Sequence, residues 1–378
     1  MGAIANRQTA YDPWLFLSLV SLIGLGLVMV TSASLSFAEG SGLPAGYFAI
    51  RHVIYLAIGL VGFAVTTYLP LSLWRKLSIP LLIITIGLLA LLLIPGISRQ
   101  VNGSSRWLFL GPISIQVSEF AKLFVIIYMA QYLVQRHKEV QTELSGFIKP
   151  MLMLGLVSAL LLLEPDFGAT VVIVSTTMGM LFLAGVPIRR FLVVLLPALG
   201  ALGILSITSP YRMQRLTSFL NPWTDQFNTG YQLTQSLIAF GRGGWFGTGL
   251  GNSVQKLLYL PEAHNDFIFA VLAEELGLVG AMVILLFFGL LVWRILTLGR
   301  QAILFGHPFA GFMAYGIGLW FGFQSIINIG VNLGVLPTKG LTLPFMSYGG
   351  CSLIVGLLAV GILLRIEFEL SNKKQKTG

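Results

Sequence analysis

Blocks of about twenty mostly apolar residues recur along this chain, and that is the length a helix needs to cross a bilayer core of about 30 Å. They lie at approximately 14–35, 52–69, 77–95, 117–135, 147–163, 168–186, 191–208, 267–293, 309–330 and 345–364. Only 10% of the 378 residues are charged, against about 25% in soluble domains. The fold class is therefore an all-α polytopic membrane protein. Its ten expected transmembrane helices form one membrane domain, with a large extracytoplasmic loop, 209–265, between the seventh and eighth. The basic residues are scattered singly or in pairs, which excludes a nucleic-acid surface. A single cysteine, Cys351, excludes an internal disulfide.

Two points decide the count. Glu164-Pro165-Asp166 is all that separates the fifth and sixth blocks. Unbroken, 151–186 would make a helix of about 54 Å, too long for the bilayer, so the proline and its acids mark a turn. Ser36-Phe37-Ala38 has a small-x-small cleavage pattern, but the apolar stretch before it exceeds a usual signal core and reads as a retained first helix. With the N-terminus inside, fourteen of the 23 Lys and Arg residues fall on the cytoplasmic side and eight outside, four of them in the long loop; Lys122 lies within a helix. That bias fits the positive-inside rule. Nine of the fourteen acids fall in the outer half, so polar chemistry is expected on the outer face.

In the large loop, Tyr231 to Phe240 has the spacing of a short helix lying on the membrane. The glycines that follow, Gly241 to Gly251, fit no phosphate-loop register and suggest tight turns close to a ligand or to the membrane surface. The loop closes on Pro261-Glu262-Ala263-His264-Asn265-Asp266-Phe267, where acids, an imidazole and an amide meet the next apolar block. Asn265 or Asp266 could cap the eighth helix. Alternatively, Asp266 is a shielded carboxylate reachable from outside, with a raised pKa suited to a base. Glu119 and Lys122 share a helix face, as a self-neutralising pair or as part of a cavity. Of the adjacent Glu274 and Glu275, at least one should point into the bundle. Asn102 to Trp107 fits an interfacial anchor or a site, and Pro337 to Gly350 fits a re-entrant turn. The four histidines are too dispersed for a metal motif, and only His264 sits among acids.

Together, Asn102 to Trp107, Ser118-Glu119-x-x-Lys122, Glu164-Pro165-Asp166-x-Gly168, Pro261 to Phe267 and Pro337 to Gly350 resemble, in order, the motifs of the SEDS family of bacterial cell-wall polymerases. Tyr231 to Leu237 and Gly249 to Leu257 resemble its division branch rather than its elongation branch. The resemblance implies a peptidoglycan glycosyltransferase that polymerises lipid II outside the cytoplasmic membrane of a bacterium during septal wall synthesis. It implies Asp266 as the essential catalytic residue, taking the proton of the GlcNAc 4-hydroxyl as a polyprenyl pyrophosphate leaves. Candidate substrate and pyrophosphate contacts are Arg106, Trp107, Glu119, Lys122, Arg212, Arg215, Gln235, His264, Lys339 and Ser347. A divalent cation, Mg or Mn, is compatible with that chemistry, with no metal ligands identified, and no organic cofactor is expected. Implied partners are an FtsI-like class B penicillin-binding transpeptidase, other division membrane proteins, lipid II and the nascent glycan strand. The competing readings are a lipid II flippase and a non-catalytic division scaffold.

Overall fold

The computed structural model describes residues 12–96, 99–101, 104–110, 113–193, 219–337 and 340–377. Helix α1 (Pro13–Gly40) starts where Asp12 accepts a hydrogen bond from the Trp14 amide at 2.9 Å and proline takes the first helical position. Then come α2 (Tyr47–Tyr68), α3 (Leu71–Leu92), α4 (Val117–Gln135), the short α5 (His137–Thr142), α6 (Leu144–Leu163) and α7 (Phe167–Leu183). Beyond the loop lie α8 (Tyr231–Gly243), α9 (Ile268–Leu304), α10 (Pro308–Asn332) and α11 (Gly350–Thr377). Among the described residues eight helices are long and apolar enough to cross a membrane, and α7 is a shorter apolar helix. The expected seventh span, 191–208, lies mostly outside the described residues; a helical turn begins at 188. Glu164 and Asp166 do separate two helices.

Two expectations need correction. The chain is not purely helical: β1 (Arg99–Val101), β2 (Ser104–Leu110) and β3 (Ile113–Gln116) form an antiparallel sheet in order β1-β2-β3, with Trp107 opposite Gln116. Strands this short, interrupted by turn residues, carry too little alternation to stand out beside long apolar helices. The tenth helix begins at Gly350 rather than 345. The chain before it threads irregularly through the bundle, with Leu341, Leu343, Phe345 and Met346 all buried. Gly26 of α1 admits it, since a Cβ there would fall 2.5 Å from the Phe345 carbonyl oxygen. Irregular backbone is tolerated at such depth only inside protein.

The backbone of the glycine-rich stretch lies against a break in α9 at Gly277, where φ is 69° and ψ −169°. The carbonyls of Glu274 and Glu275 accept from the amides of Thr248 and Gly249 at 2.9 and 3.0 Å. The amides of Leu278 and Val279 donate to the carbonyls of Gly244 and Trp245 at 2.9 and 3.1 Å. Four backbone groups that a continuous helix would pair internally are thus paired by the strap, which satisfies the backbone at the break. Both acids turn inward. Glu274 accepts from the Val254 amide and pairs with Arg242 at 3.0 Å, and Glu275 pairs with Lys256 at 2.7 Å. Helix α8 packs on α9 and α10, and its buried Ser236 donates to the Asn332 carbonyl at 2.7 Å. Its buried residues Leu233, Thr234, Ser236 and Ala239 face the bundle.

Candidate active site

At the end of the bundle that the charge pattern places outside, a cavity of about 1120 Å³ opens between α2, β2, α4, the start of α7, the approach to α9 and the segment before α11. Asp266, Arg106, Trp107 and Glu119 line it, as do Arg51, Asp166, Gln232 and Glu262.

Asp266 stands two residues before α9. It does not cap that helix: Phe267 occupies the cap position and no side-chain cap bond forms there. Two asparagines of α10 do the holding. Asn328 and Asn332 each donate Nδ2–H to the Asp266 carbonyl at 2.9 Å, and Asn332 Oδ1 accepts from the Ala270 amide at 3.1 Å. The Asp266 carboxylate, without a hydrogen bond from any described residue, is left to the cavity. Gly340 stands close opposite: a Cβ on it would lie 3.1 Å from Oδ2, which would have to give by a few tenths of an ångström. Burial, then the neighbouring charge of Glu262, push the Asp266 carboxyl up to about 7, with Arg106 opposing and Asp166 adding to the rise. A carboxyl with that value can accept a proton near neutral pH.

Arg106, on β2, donates to the Pro165 carbonyl and stands 3.8 Å from the Asp166 carboxylate. Asp166 caps α7 through the Ala169 amide at 3.2 Å, while its Oδ2 is buried without a partner. Glu164 is buried with both oxygens unpartnered. Burial, then the charge of Asp166, push it up to about 8, which keeps it neutral at neutral pH.

The other candidates divide. Lys122 is sealed below the cavity, donating to Glu119 Oε1 and Gln324 Oε1 at 2.8 Å each. Gln324 also accepts from Trp320 and donates to the Thr342 carbonyl, which ties the pair to the segment before α11. His264 is buried against Phe37, Phe48 and Tyr348, with burial pushing its imidazole down to about 4. Its carbonyl accepts from the Tyr348 amide at 2.9 Å, so the residue positions a cavity tyrosine and stays neutral. Ser347 is buried and accepts from the Leu343 amide at 2.7 Å, bracing the turn. Gln235 lies one turn from the cavity-lining Gln232 and is not itself on the wall. Arg212, Arg215 and Lys339 lie outside the described residues. Sequence reasoning missed Arg51, counted only among the outer cations, and did not name Asp166 as a site residue, reading it as a turn and as part of a family motif. Two acids flanking a proline at a membrane boundary were a signal for Asp166; Arg51 offered none. Among the described residues no three metal-binding side chains converge.

A family model described as cell cycle protein, for the FtsW, RodA and SpoVE proteins, matches residues 13–372. The chain belongs to this FtsW–RodA–SpoVE family, the SEDS proteins. It is 56% identical to the probable peptidoglycan glycosyltransferase FtsW of Coxiella burnetii over 364 residues, covering 96% of this chain and 98% of that one. Identity to the protein of the same name from Legionella pneumophila is 52% over 375 residues, 99% and 95% of the two chains. Among solved structures, a chain from work on coordinated polymerisation and crosslinking by a peptidoglycan synthase complex superposes with a TM-score of 0.79 at 29% identity, covering 96% and 98%. The rod shape determining protein RodA of Thermus thermophilus superposes at 0.69 and 28%, also covering 96% and 98%. The SEDS architecture thus extends over essentially the whole chain.

Proposed function

We infer that the chain is a peptidoglycan glycosyltransferase of the bacterial cytoplasmic membrane, an FtsW-type SEDS protein that polymerises lipid II in septal wall synthesis. The observation that carries the mechanism is the Asp266 carboxylate, without a hydrogen bond from any described residue, raised to about 7, and facing a cavity of about 1120 Å³. In our reading Asp266 accepts the proton of the acceptor GlcNAc 4-hydroxyl as that oxygen bonds to the anomeric carbon of the donor. The bond from that carbon to the leaving pyrophosphate breaks, and its electron pair departs with the phosphate oxygen. Arg106, a described cation whose field reaches Asp266, would offset that growing negative charge. Asp166 holds Arg106 in place, and Trp107 offers a face for a sugar ring.

A divalent cation fits the donor set. Magnesium is commonly held by one or two carboxylates together with substrate phosphates, and the buried, unpartnered Asp166 Oδ2 is such a donor beside the cavity. It would neutralise pyrophosphate charge. For a partner we propose a class B penicillin-binding transpeptidase at the division septum, and both termini in the cytoplasm. The flippase reading has less support, since Lys122, Gln324 and Trp320, buried beneath the cavity wall at Glu119, bond one another and Glu119. The deciding experiment incubates purified protein with lipid II, alone and with its transpeptidase, and resolves glycan strands on a gel. Strands from the wild type but not from Asp266→Asn are expected; equal strands from both would remove Asp266 from the reaction.

A further inference from the structure

Arg51, near the start of α2, lines the same cavity as Asp266, yet the mechanism above leaves it without work. Its Nη1 donates to the Tyr47 hydroxyl at 2.8 Å and its Nη2 to the Tyr55 hydroxyl at 3.1 Å. These bonds hold the guanidinium without neutralising it. All fourteen acids of the chain lie among the described residues, and none of them pairs with Arg51. Other outer cations differ: Arg106 has Asp166, Arg242 has Glu274, and Lys256 has Glu275. An arginine fixed by two neutral hydroxyls on a cavity wall, with donors to spare and no carboxylate, suits a phosphate.

A second feature of the same wall points the same way. The 28-residue α11 starts at Gly350, and Gly349, Gly350 and Cys351 line the cavity. Gly350 lies against the Tyr55 ring that frames Arg51, since a Cβ on it would come within 2.6 Å of that ring. The first amides of a helix lack intrahelical partners, and the positive end of its dipole favours anions. Arginine and helix terminus therefore meet around Tyr55, and Tyr348 adds a hydroxyl that burial pushes up to about 12, so it stays a neutral donor.

Which anion follows from the reaction proposed above, on which this step rests. A polymerase of this kind handles two lipid pyrophosphates at once. The leaving one must sit beside the base, because the base touches the hydroxyl that attacks the carbon bearing it. Arg106 is held at the start of α7 by Pro165 and Asp166, whereas Arg51 stands on α2 and is framed by Tyr55 against the start of α11. The acceptor's own pyrophosphate is a full disaccharide away from its attacking hydroxyl and stays intact. We propose that Arg51, framed by Tyr47 and Tyr55 and facing the start of α11, binds the pyrophosphate of the acceptor lipid II.

The test uses the purified full chain with Arg51→Gln and Arg51→Lys. Loss of a charge-assisted phosphate contact should raise the KM for lipid II about tenfold or more, with kcat nearly kept, and lysine should recover part of the loss. As a readout without turnover, farnesyl pyrophosphate should raise the melting temperature of the wild type and of Asp266→Asn, and raise it clearly less for Arg51→Gln, which keeps only the Arg106 site. Phosphatidylglycerol added in its place should have little effect. An Arg51→Gln protein with normal KM and full stabilisation by farnesyl pyrophosphate overturns the proposal. Equal stabilisation by phosphatidylglycerol also overturns it, in favour of a bound lipid headgroup. A wild type that makes no glycan strands defeats the polymerase reading instead, and would be recognised by that result alone.

Discussion

Asn332, at the end of α10, supplies to α9 the cap that Asp266 would otherwise provide. Its Oδ1 accepts from the Ala270 amide at 3.1 Å, and its Nδ2 donates to the Asp266 carbonyl at 2.9 Å. The chain just before α9 is thereby fixed through its backbone. The Asp266 side chain is released from structural duty and turned to the cavity.

Stability and activity should therefore separate at these two positions. Asp266→Asn and Asp266→Ala are expected to melt close to the wild type, while polymerisation falls by about 10²- to 10⁴-fold, the usual contribution of a general base. Asn332→Ala is expected to lose about 0.5–2 kcal/mol, as for a lost cap, and some activity because Asp266 loses its fixed backbone. Thermal melting in detergent beside a lipid II gel assay reads both. A destabilised Asp266→Ala protein would restore the capping role.

The pH profile carries the next expectation. The base works deprotonated, and Asp266 lies at about 7. Activity should then rise through neutrality and fall about tenfold per pH unit below it. Glu262 raises this value and Arg106 lowers it. Hence Glu262→Gln should move the acid limb to lower pH, and Arg106→Gln should move it higher while also reducing kcat. Profiles of kcat/KM for the three proteins check the order, and an acid limb unmoved by both changes would sink the assignment.

Much of this site was legible before any coordinates. Asp266 stood out because a carboxylate at a membrane boundary has few bland uses, and Glu119 with Lys122 because three-residue spacing puts them on one face. What the chain order could not convey was who does the capping: Asn332 is 66 residues beyond Asp266, and only the packing of α10 on α9 brings it there. Arg51 was hidden for a similar reason. A lone arginine beside a span reads as a topology marker until Tyr47, Tyr55 and the start of α11 are seen around it. The strap over Gly277 was hidden too, since nothing local in Gly241 to Gly251 says which backbone they approach.

Lys122 and Glu119 predict a different pattern. Removing one member of a buried pair leaves an uncompensated charge and costs about 3–5 kcal/mol. Lys122→Met should therefore melt well below the wild type, and Glu119→Gln with Lys122→Met should recover most of the loss. Because Glu119 also lines the cavity, the double variant should regain its fold but not full polymerisation. Complete recovery of strand synthesis would make the pair structural alone.

The last prediction concerns the strap over the broken helix. Gly277 and Gly247 meet backbone to backbone: a Cβ on Gly277 would fall 2.3 Å from the Gly247 nitrogen, and one on Gly247 would fall 2.1 Å from the Glu275 carbonyl oxygen. Both glycines also hold positive φ, 69° and 80°, which costs an L-residue about 1–2 kcal/mol before any clash. Gly247→Ala and Gly277→Ala should each push the strap off α9 and expose the four backbone groups it satisfies. The short helical piece from Ile268 to Leu276, which begins two residues after Asp266, would lose its anchor. Melting temperature and polymerisation are expected to fall together in both variants. Gly241→Ala is the control, since Gly241 has no positive φ and nothing within 4 Å of its added Cβ, and alanine favours the helix it sits in. If Gly241→Ala proves as damaging as Gly247→Ala, the harm comes from changing any glycine in the stretch, and the strap is not what holds the broken helix.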